Sequence, residues 1–158
     1  MFRELTRKKQ ALSPEECARL LHSEKRGVLS LSGENGYPYG VPLNQYYLEE
    51  EGRLYFHSGK TGHKIDALRA CPKASFCVYD SGVRREGDWA LTFRSVIAFG
   101  QLREETNPAK VQEVCTALSR KFTDDEAYIR QELQTFTKNV LCFYLQIEHI
   151  SGKTVHEA

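Results

Sequence analysis

The chain has little of what marks several large classes of protein. No stretch of its 158 residues approaches the ~20 consecutive apolar residues that a membrane-spanning helix needs, and no apolar run follows the first residues as in a secretory leader. The expectation is a soluble, cytoplasmic protein with no membrane partner. Neither charge sign is in excess: 22 Lys and Arg stand against 21 Asp and Glu, and the cluster Arg3-Glu4-Arg7-Lys8-Lys9 is mixed. Nucleic acid is therefore not an expected partner. The five cysteines, Cys17, Cys71, Cys77, Cys115 and Cys142, are odd in number and scattered, with no C-x-x-C pair and no adjacent histidine. They read as reduced, mostly buried thiols with no nucleophilic role. His22, His149 and His156 have no metal-ligand spacing, so no metal is expected. No Walker or GxGxxG pattern occurs, and with it goes the nicotinamide fingerprint. No repeat, low-complexity tract or linker divides the chain, which reads as one domain over residues 1–158.

A more local absence is the most informative. In LYFHSGKTGHKIDAL, Leu54 and Phe56 fall on one face of a strand and Tyr55 and His57 on the other. Ser58-Gly59-Lys60-Thr61-Gly62 then turns the chain, and Ile65 and Leu68 give the apolar face of a short helix over about Thr61 to Ala70, ended by Pro72. Acidic side chains stabilise a helix N-terminus by ~0.3–1 kcal/mol, yet this one carries Lys60, His63 and Lys64 with no acid before Asp66. Two readings stand side by side: a solvated basic turn, or a phosphate seat built from backbone N–H groups, the Ser58 and Thr61 hydroxyls, two glycines and two lysines.

The remaining elements can be placed around this stretch. Ser13-Pro14-Glu15-Glu16 combines a capping hydroxyl, a proline at the first helical position and a capping-box glutamate, which predicts a helix to about His22 with Cys17, Leu20 and Leu21 on its stripe. Val28–Ser32 and Tyr39–Tyr47 read as a hairpin around a glycine-rich turn. Pro42 cannot donate to a ladder, so Val41-Pro42-Leu43-Asn44 is an edge, a bulge or a place where backbone meets something other than a strand; the edge is the plain reading. Glu49–Gly52 turns into the Leu54 strand, Ala74–Tyr79 is another strand, and Ser81–Asp88 is a polar loop. Trp89–Leu102 exceeds the usual strand length enough to predict a bent or bulged strand, and Arg94 and Ser95 in its middle need partners across the sheet or in a ligand. Asn107-Pro108 opens a helix with Val111, Val114, Cys115, Leu118 and Phe122 on one face. Asp124–Phe136 is helical, with Ile129, Leu133 and Phe136 apolar, and Val140–Ile150 is a strand with Leu141, Phe143, Leu145 and Ile147 on one side. This pattern predicts a mainly β protein, a small antiparallel barrel of about six or seven strands with helices at its ends.

Together, GYPYGVPLN at Gly36–Asn44, LYFHSGKTGHKIDAL at Leu54–Leu68 and RSVIAFGQL at Arg94–Leu102 resemble the flavin-binding split-barrel superfamily of pyridoxamine 5′-phosphate oxidase, and within it the Nim nitroimidazole-resistance branch. The resemblance spans about Ser13 to Lys153. It implies a split barrel and a homodimer with FMN at the subunit interface. Val41, Pro42, Leu43 and Asn44 would lie along the flavin ring, and His57 and Ser58 between ring and ribityl chain. Lys60, His63 and Lys64 would hold the phosphate, and Ser95 would touch the ring from the partner subunit. The first flavin segment carries prolines where true pyridoxamine phosphate oxidases carry arginine and a closing lysine, and no C-terminal tryptophan and arginine follow Ile150, so vitamin B6 oxidation is not the activity expected.

The resemblance implies an FMN-dependent oxidoreductase acting on small electron-poor aromatics such as nitroimidazoles; a non-catalytic flavin- or haem-binding or sensing protein is the alternative, and a plain phosphate-binding module a third. His57 is a catalytic candidate as a proton donor, with a ring ligand and a packing residue as the other readings. Trp89 reads as a core residue in preference to a flavin cover, and Tyr39, Tyr46 and Tyr47 as wall and sheet residues.

Overall fold

The computed structural model describes residues 1–136 and 139–157. Helix α1 (Pro14–Ser23) starts on the expected capping box: the Ser13 hydroxyl accepts from the Glu16 N–H at 3.2 Å, and the Glu16 carboxylate accepts from the Ser13 N–H at 2.8 Å. The strands are β1 (Gly27–Ser32), β2 (Pro38–Leu43), β3 (Tyr46–Leu48), β4 (Arg53–Gly59), β5 (Lys73–Tyr79), β6 (Val83–Arg84), β7 (Leu91–Glu105) and β8 (Val140–His156). Helix α2 (His63–Ala70) follows β4, and α3 (Pro108–Arg120) and α4 (Glu126–Phe136) lie between β7 and β8. None of the described helices is long and apolar enough to cross a membrane.

Seven strands hydrogen-bond in the order β2-β1-β5-β7-β8-β4-β3, with β6 pairing on β7, and every ladder is antiparallel. The two ends of this path, β2 and β3, are separated in the chain by Asn44 and Gln45 alone. That linker reaches at most ~10 Å, so the sheet must curl until its edges almost meet. They do not pair with each other, and the result is the split barrel expected.

The barrel interior holds Leu29, Leu31, Leu54, Phe56, Phe76, Val78, Val96, Ala98, Phe143 and Leu145, closed by Leu20 and Leu21 of α1 and Ile65 and Leu68 of α2. A second cluster, Tyr55, Val114, Leu118 and Cys142, lies outside the barrel wall, where α3 covers β4 and β8. β4 thus buries both faces as far as Phe56. Burying each such side chain is worth ~1.5–3 kcal/mol, which fixes β4 to β8 on one side and to α3 on the other.

Several expectations need correction. Tyr39–Tyr47 is not one strand, because the chain leaves the β1 ladder after Leu43 and joins β4 only from Tyr46. The Ser81–Asp88 loop contains the two-residue β6, and the last strand continues past Ile150 to His156 because β7 is long enough to pair with all of it. The expected irregularity in the long strand is present as a register shift at Phe99/Gly100. Trp89 is 73 % exposed instead of core: β7 begins at Leu91, and Trp89 sits in a turn closed by the Ala90 N–H on the Asp88 carboxylate. Phe122 lies beyond the end of α3, exposed, with the Lys25 ammonium 5.3 Å above its ring. Phe136, expected on an apolar face, is also exposed. All five cysteines are free, and Cys17, Cys115 and Cys142 are buried.

Candidate functional site

The split brings most of the predicted site residues to one place. β3 pairs with β4 through Tyr46↔Tyr55, Tyr47↔Leu54 and Leu48↔Arg53, and the ladder stops at Tyr46. Carried further, the same register would set Asn44 opposite His57, Leu43 opposite Ser58 and Val41 opposite Lys60. Instead β2 has swung away onto β1, so that beyond Tyr46 no strand continues the β3 ladder along β4 among the described residues. The Val41 and Leu43 side chains pack on the core, so this segment offers the split its backbone edge, and Pro42 has no N–H to give. The Asn44 side-chain oxygen accepts from Arg26 Nε at 3.2 Å, a partner with no signal in the sequence.

At the far end of β4 the turn Ser58–Gly62 leads into α2. The N-cap residue Gly62 has φ 110°, a conformation open to glycine, and gives no side-chain cap. His63 and Lys64 occupy the first two helical positions, and Asp66 is the only acid of the first turn. A Cβ built on Gly59 or Gly62 would meet nothing within 4 Å, so there is room at this turn for a bound group. The Ser58 hydroxyl donates to the Gly59 carbonyl at 2.8 Å, and Lys60 is exposed. The His63 ring stacks on Tyr39 of β2, with centroids 4.0 Å apart and planes 21° apart. That stack joins the basic turn to β2, so Tyr39 is more than the wall residue expected.

His57 points away from the barrel core, on the Tyr55 face and opposite Cys142. With Cys115 and Ser119 of α3 and Glu132 and Phe136 of α4 it lines a cavity of about 240 Å³. The exposed Phe136 ring thus has a place, and a cavity built from helices more than fifty residues downstream could not be read from the Leu54–Leu68 stretch. Although His57 is exposed by surface area, the atoms crowded around its ring lower its pKa, and the Lys64 charge adds to this. Burial likewise lowers the Lys64 pKa. The thiols of Cys115 and Cys142 are raised by burial, Cys142 to about 12, and stay protonated at neutral pH.

Ser95 is not brought to this place within the chain. It lies on the outer face of β7, paired with Tyr79 and Lys153, with two strands, β1 and β5, between β7 and β2. Its neighbour Arg94 finds its partner in the protein: the Asp80 carboxylate accepts from the Arg94 N–H at 2.9 Å and from its Nε at 2.8 Å. Among the described residues no group of three or more His, Cys, Asp and Glu side chains could hold a metal ion. A larger cavity of about 620 Å³, between the N-terminal segment, α1 and β8, contains none of the predicted site residues.

Three solved structures share this fold. A candidate 5-nitroimidazole antibiotic resistance protein of Bacteroides thetaiotaomicron superposes with a TM-score of 0.75 at 18% identity, over 92% of this chain and 87% of its own. An FAD-binding protein of Mesorhizobium loti gives 0.66 at 25% identity, over 92% and 97%. An FAD- and haem-binding protein of Mycobacterium smegmatis gives 0.72 at 21% identity, over 95% and 74%. No curated protein sequence matches. The sequence model of pyridoxamine 5′-phosphate oxidase matches residues 13–154, from the N-cap of α1 almost to the end of β8, and the chain belongs to that family.

Proposed function

We propose that the protein is a flavin-dependent oxidoreductase that holds FMN in the split and reduces small electron-poor aromatics of the nitroimidazole kind. The observation that carries this reading is the arrangement of two strand edges, the side of Val41–Leu43 away from β1 and the side of His57–Gly59 away from β8, with a helix start whose first two residues, His63 and Lys64, are basic. A planar ring with polar edges suits strand edges, and a phosphate suits the helix start. Solved relatives of the same fold that bind FAD support the flavin, and the candidate nitroimidazole resistance protein supports the substrate class. FMN is preferred to FAD because a single phosphate matches a single basic turn.

In this reading the backbone edge of the Val41–Asn44 segment orients the ring, with Pro42 adding no N–H, and the Ser58 hydroxyl meets the ribityl chain. Lys60, His63 and Lys64 bind the phosphate. The flavin supplies hydride and electron transfer when bound. His57 holds the proton that a reduced substrate takes up, at the small cavity that it lines. Two copies of the chain complete the site, with Ser95 reaching the ring from the second. The outward row Val28, Cys77 and Ile97, aligned across three strands by the ladders, gives the second copy a flat apolar seat.

The test is a double variant, Lys60→Ala with Lys64→Ala. Each lysine removes a charge-assisted contact worth ~1.5–3 kcal/mol, so FMN affinity should fall by two orders of magnitude or more while riboflavin, which has no phosphate, binds as before. Equal loss of both ligands in titrations overturns the assignment of the turn. The FAD- and haem-binding neighbour favours a second reading, a cofactor carrier without turnover. Flavin absorption with no Soret band, and turnover of a nitroaromatic by the reduced protein, select the enzyme.

A further inference from the structure

The split persists only if something holds the chain away from continuing β2 into β3, and the contacts at Gln45 show what does. Gln45 is completely buried. Its side-chain Nε2 donates to the carbonyls of Glu24 at 2.6 Å and Leu21 at 3.3 Å, two of the acceptors that the end of α1 leaves without helical partners. The Lys121 ammonium, arriving from the end of α3, donates to the same Glu24 carbonyl at 2.7 Å and to the Gln45 backbone carbonyl at 2.9 Å. One cation therefore ties three segments far apart in sequence: the end of α1, the corner between β2 and β3, and the end of α3. The neighbouring contact of Lys25 over Phe122 crosses between α1 and α3 the other way. Among the described residues no carboxylate accepts from Lys121; Glu24 and Lys25 are the charges that act on it, with opposite sign.

We propose that Lys121 is a positioning residue of the candidate site: by holding the Gln45 carbonyl it fixes the corner at which β2 parts from β4, and so sets where Asn44 and the Val41–Leu43 edge stand. The proposal rests on the flavin reading for its effect on ligand binding, but not for its effect on the corner. A purely structural lysine here would stabilise the fold. Lys121 instead is half-buried and donates to backbone carbonyls with no carboxylate bonded to it, so its removal relieves a partial loss of hydration. What is lost without it is the donor that orients the Gln45 carbonyl, and the damage falls on the corner instead of the fold.

The experiment compares Lys121→Met and Lys121→Arg with the parent protein by amide hydrogen exchange across residues 41–47 without ligand, by urea unfolding, and by FMN and riboflavin titration. The expected result for Lys121→Met is exchange at Asn44, Gln45 and Tyr46 at least tenfold faster, an unfolding midpoint unchanged or higher, and both flavins bound about tenfold more weakly. Lys121→Arg, which keeps charge and donors, should restore most of the affinity. Unchanged exchange in Lys121→Met overturns the proposal whatever the ligand does. Faster exchange with undiminished flavin affinity overturns the positioning role. Affinity lost only in step with global unfolding would make Lys121 a structural residue and also overturn it. A parent protein that takes up neither flavin, with the corner still loosened in Lys121→Met, confirms the clamp and refutes the flavin reading instead.

Discussion

His57 and Lys121 are two side chains whose ionisation the fold changes in a way that can be measured. For His57, burial and then the Lys64 charge lower the pKa, so the imidazole is neutral at pH 7. Lys64→Met should move its midpoint upward by NMR titration, toward but not up to the ordinary 6.5, because the burial contribution stays. As a proton donor His57 works in its protonated form, so substrate reduction should decline as pH rises through its lowered pKa. His57→Ala should leave the melting temperature and FMN affinity nearly unchanged and slow reduction by ~10²–10⁴-fold. If His57→Phe keeps full activity, the ring only packs. For Lys121, burial brings the pKa from 10.5 to about 8. Between those values the unfolded chain binds more protons than the folded one, so this residue makes stability rise with pH across that window. Urea midpoints measured at pH 8 and pH 10 should move upward in the parent relative to Lys121→Met, the difference between the two proteins isolating this residue from the thiols that titrate in the same range. His57 was readable as a candidate from its place one residue before the basic turn; Lys121 carried no signal, since its partners lie 97 and 76 residues earlier and are backbone atoms.

Among the elements, those that rest on local chemistry were the legible ones. The capping box of α1, the alternation of β4 and the side-chain pattern of Leu141, Phe143, Leu145 and Ile147 all appear where the sequence placed them. The break between β2 and β3 was not legible, because its cause is the buried Gln45 held by two helix ends and not a turn residue at the break. Proline 42 signalled an edge correctly, but an edge has no direction in sequence. The long β7 was recognised by length alone, and the position of its irregularity depends on its neighbour: a Cβ on Gly100 would run into the Gln146 carbonyl oxygen on β8. Gly100→Ala should therefore displace the β7–β8 ladder at the bulge and cost ~1–3 kcal/mol in urea unfolding, the usual range for overpacking. Gly59→Ala, where the added methyl meets nothing, is the control and should leave stability almost unchanged.

At the scale of the whole molecule, the half-buried outer row of Val28, Cys77 and Ile97 and the exposed Tyr79, Val83 and Trp89 offer apolar surface that a second copy could cover. Sedimentation should give about twice the 18.1 kDa chain mass. A monomer that binds FMN tightly at micromolar concentration would contradict a site completed by a second copy. The barrel was legible from the count and spacing of strands, and its split only through the resemblance, because closure depends on which strands pair, a relation between residues far apart in the chain.

The path of the sheet also sets when the protein can first work. β4, which carries His57 and leads into the basic turn, enters the sheet by pairing along Val140–Gln146 of β8, and its ladders join it to the rest of the barrel wall through that strand and the short β3. During synthesis at ~5–20 residues per second, some ten seconds pass between the emergence of β4 and that of its partner. Throughout that interval β1, β2 and β5 can already hydrogen-bond, while β4 has only the short β3 beside it and an uncovered apolar face. A nascent chain still tethered to the ribosome short of residue 140 therefore presents one lip of the cleft without the other, and loading of any ligand must wait for the last strand.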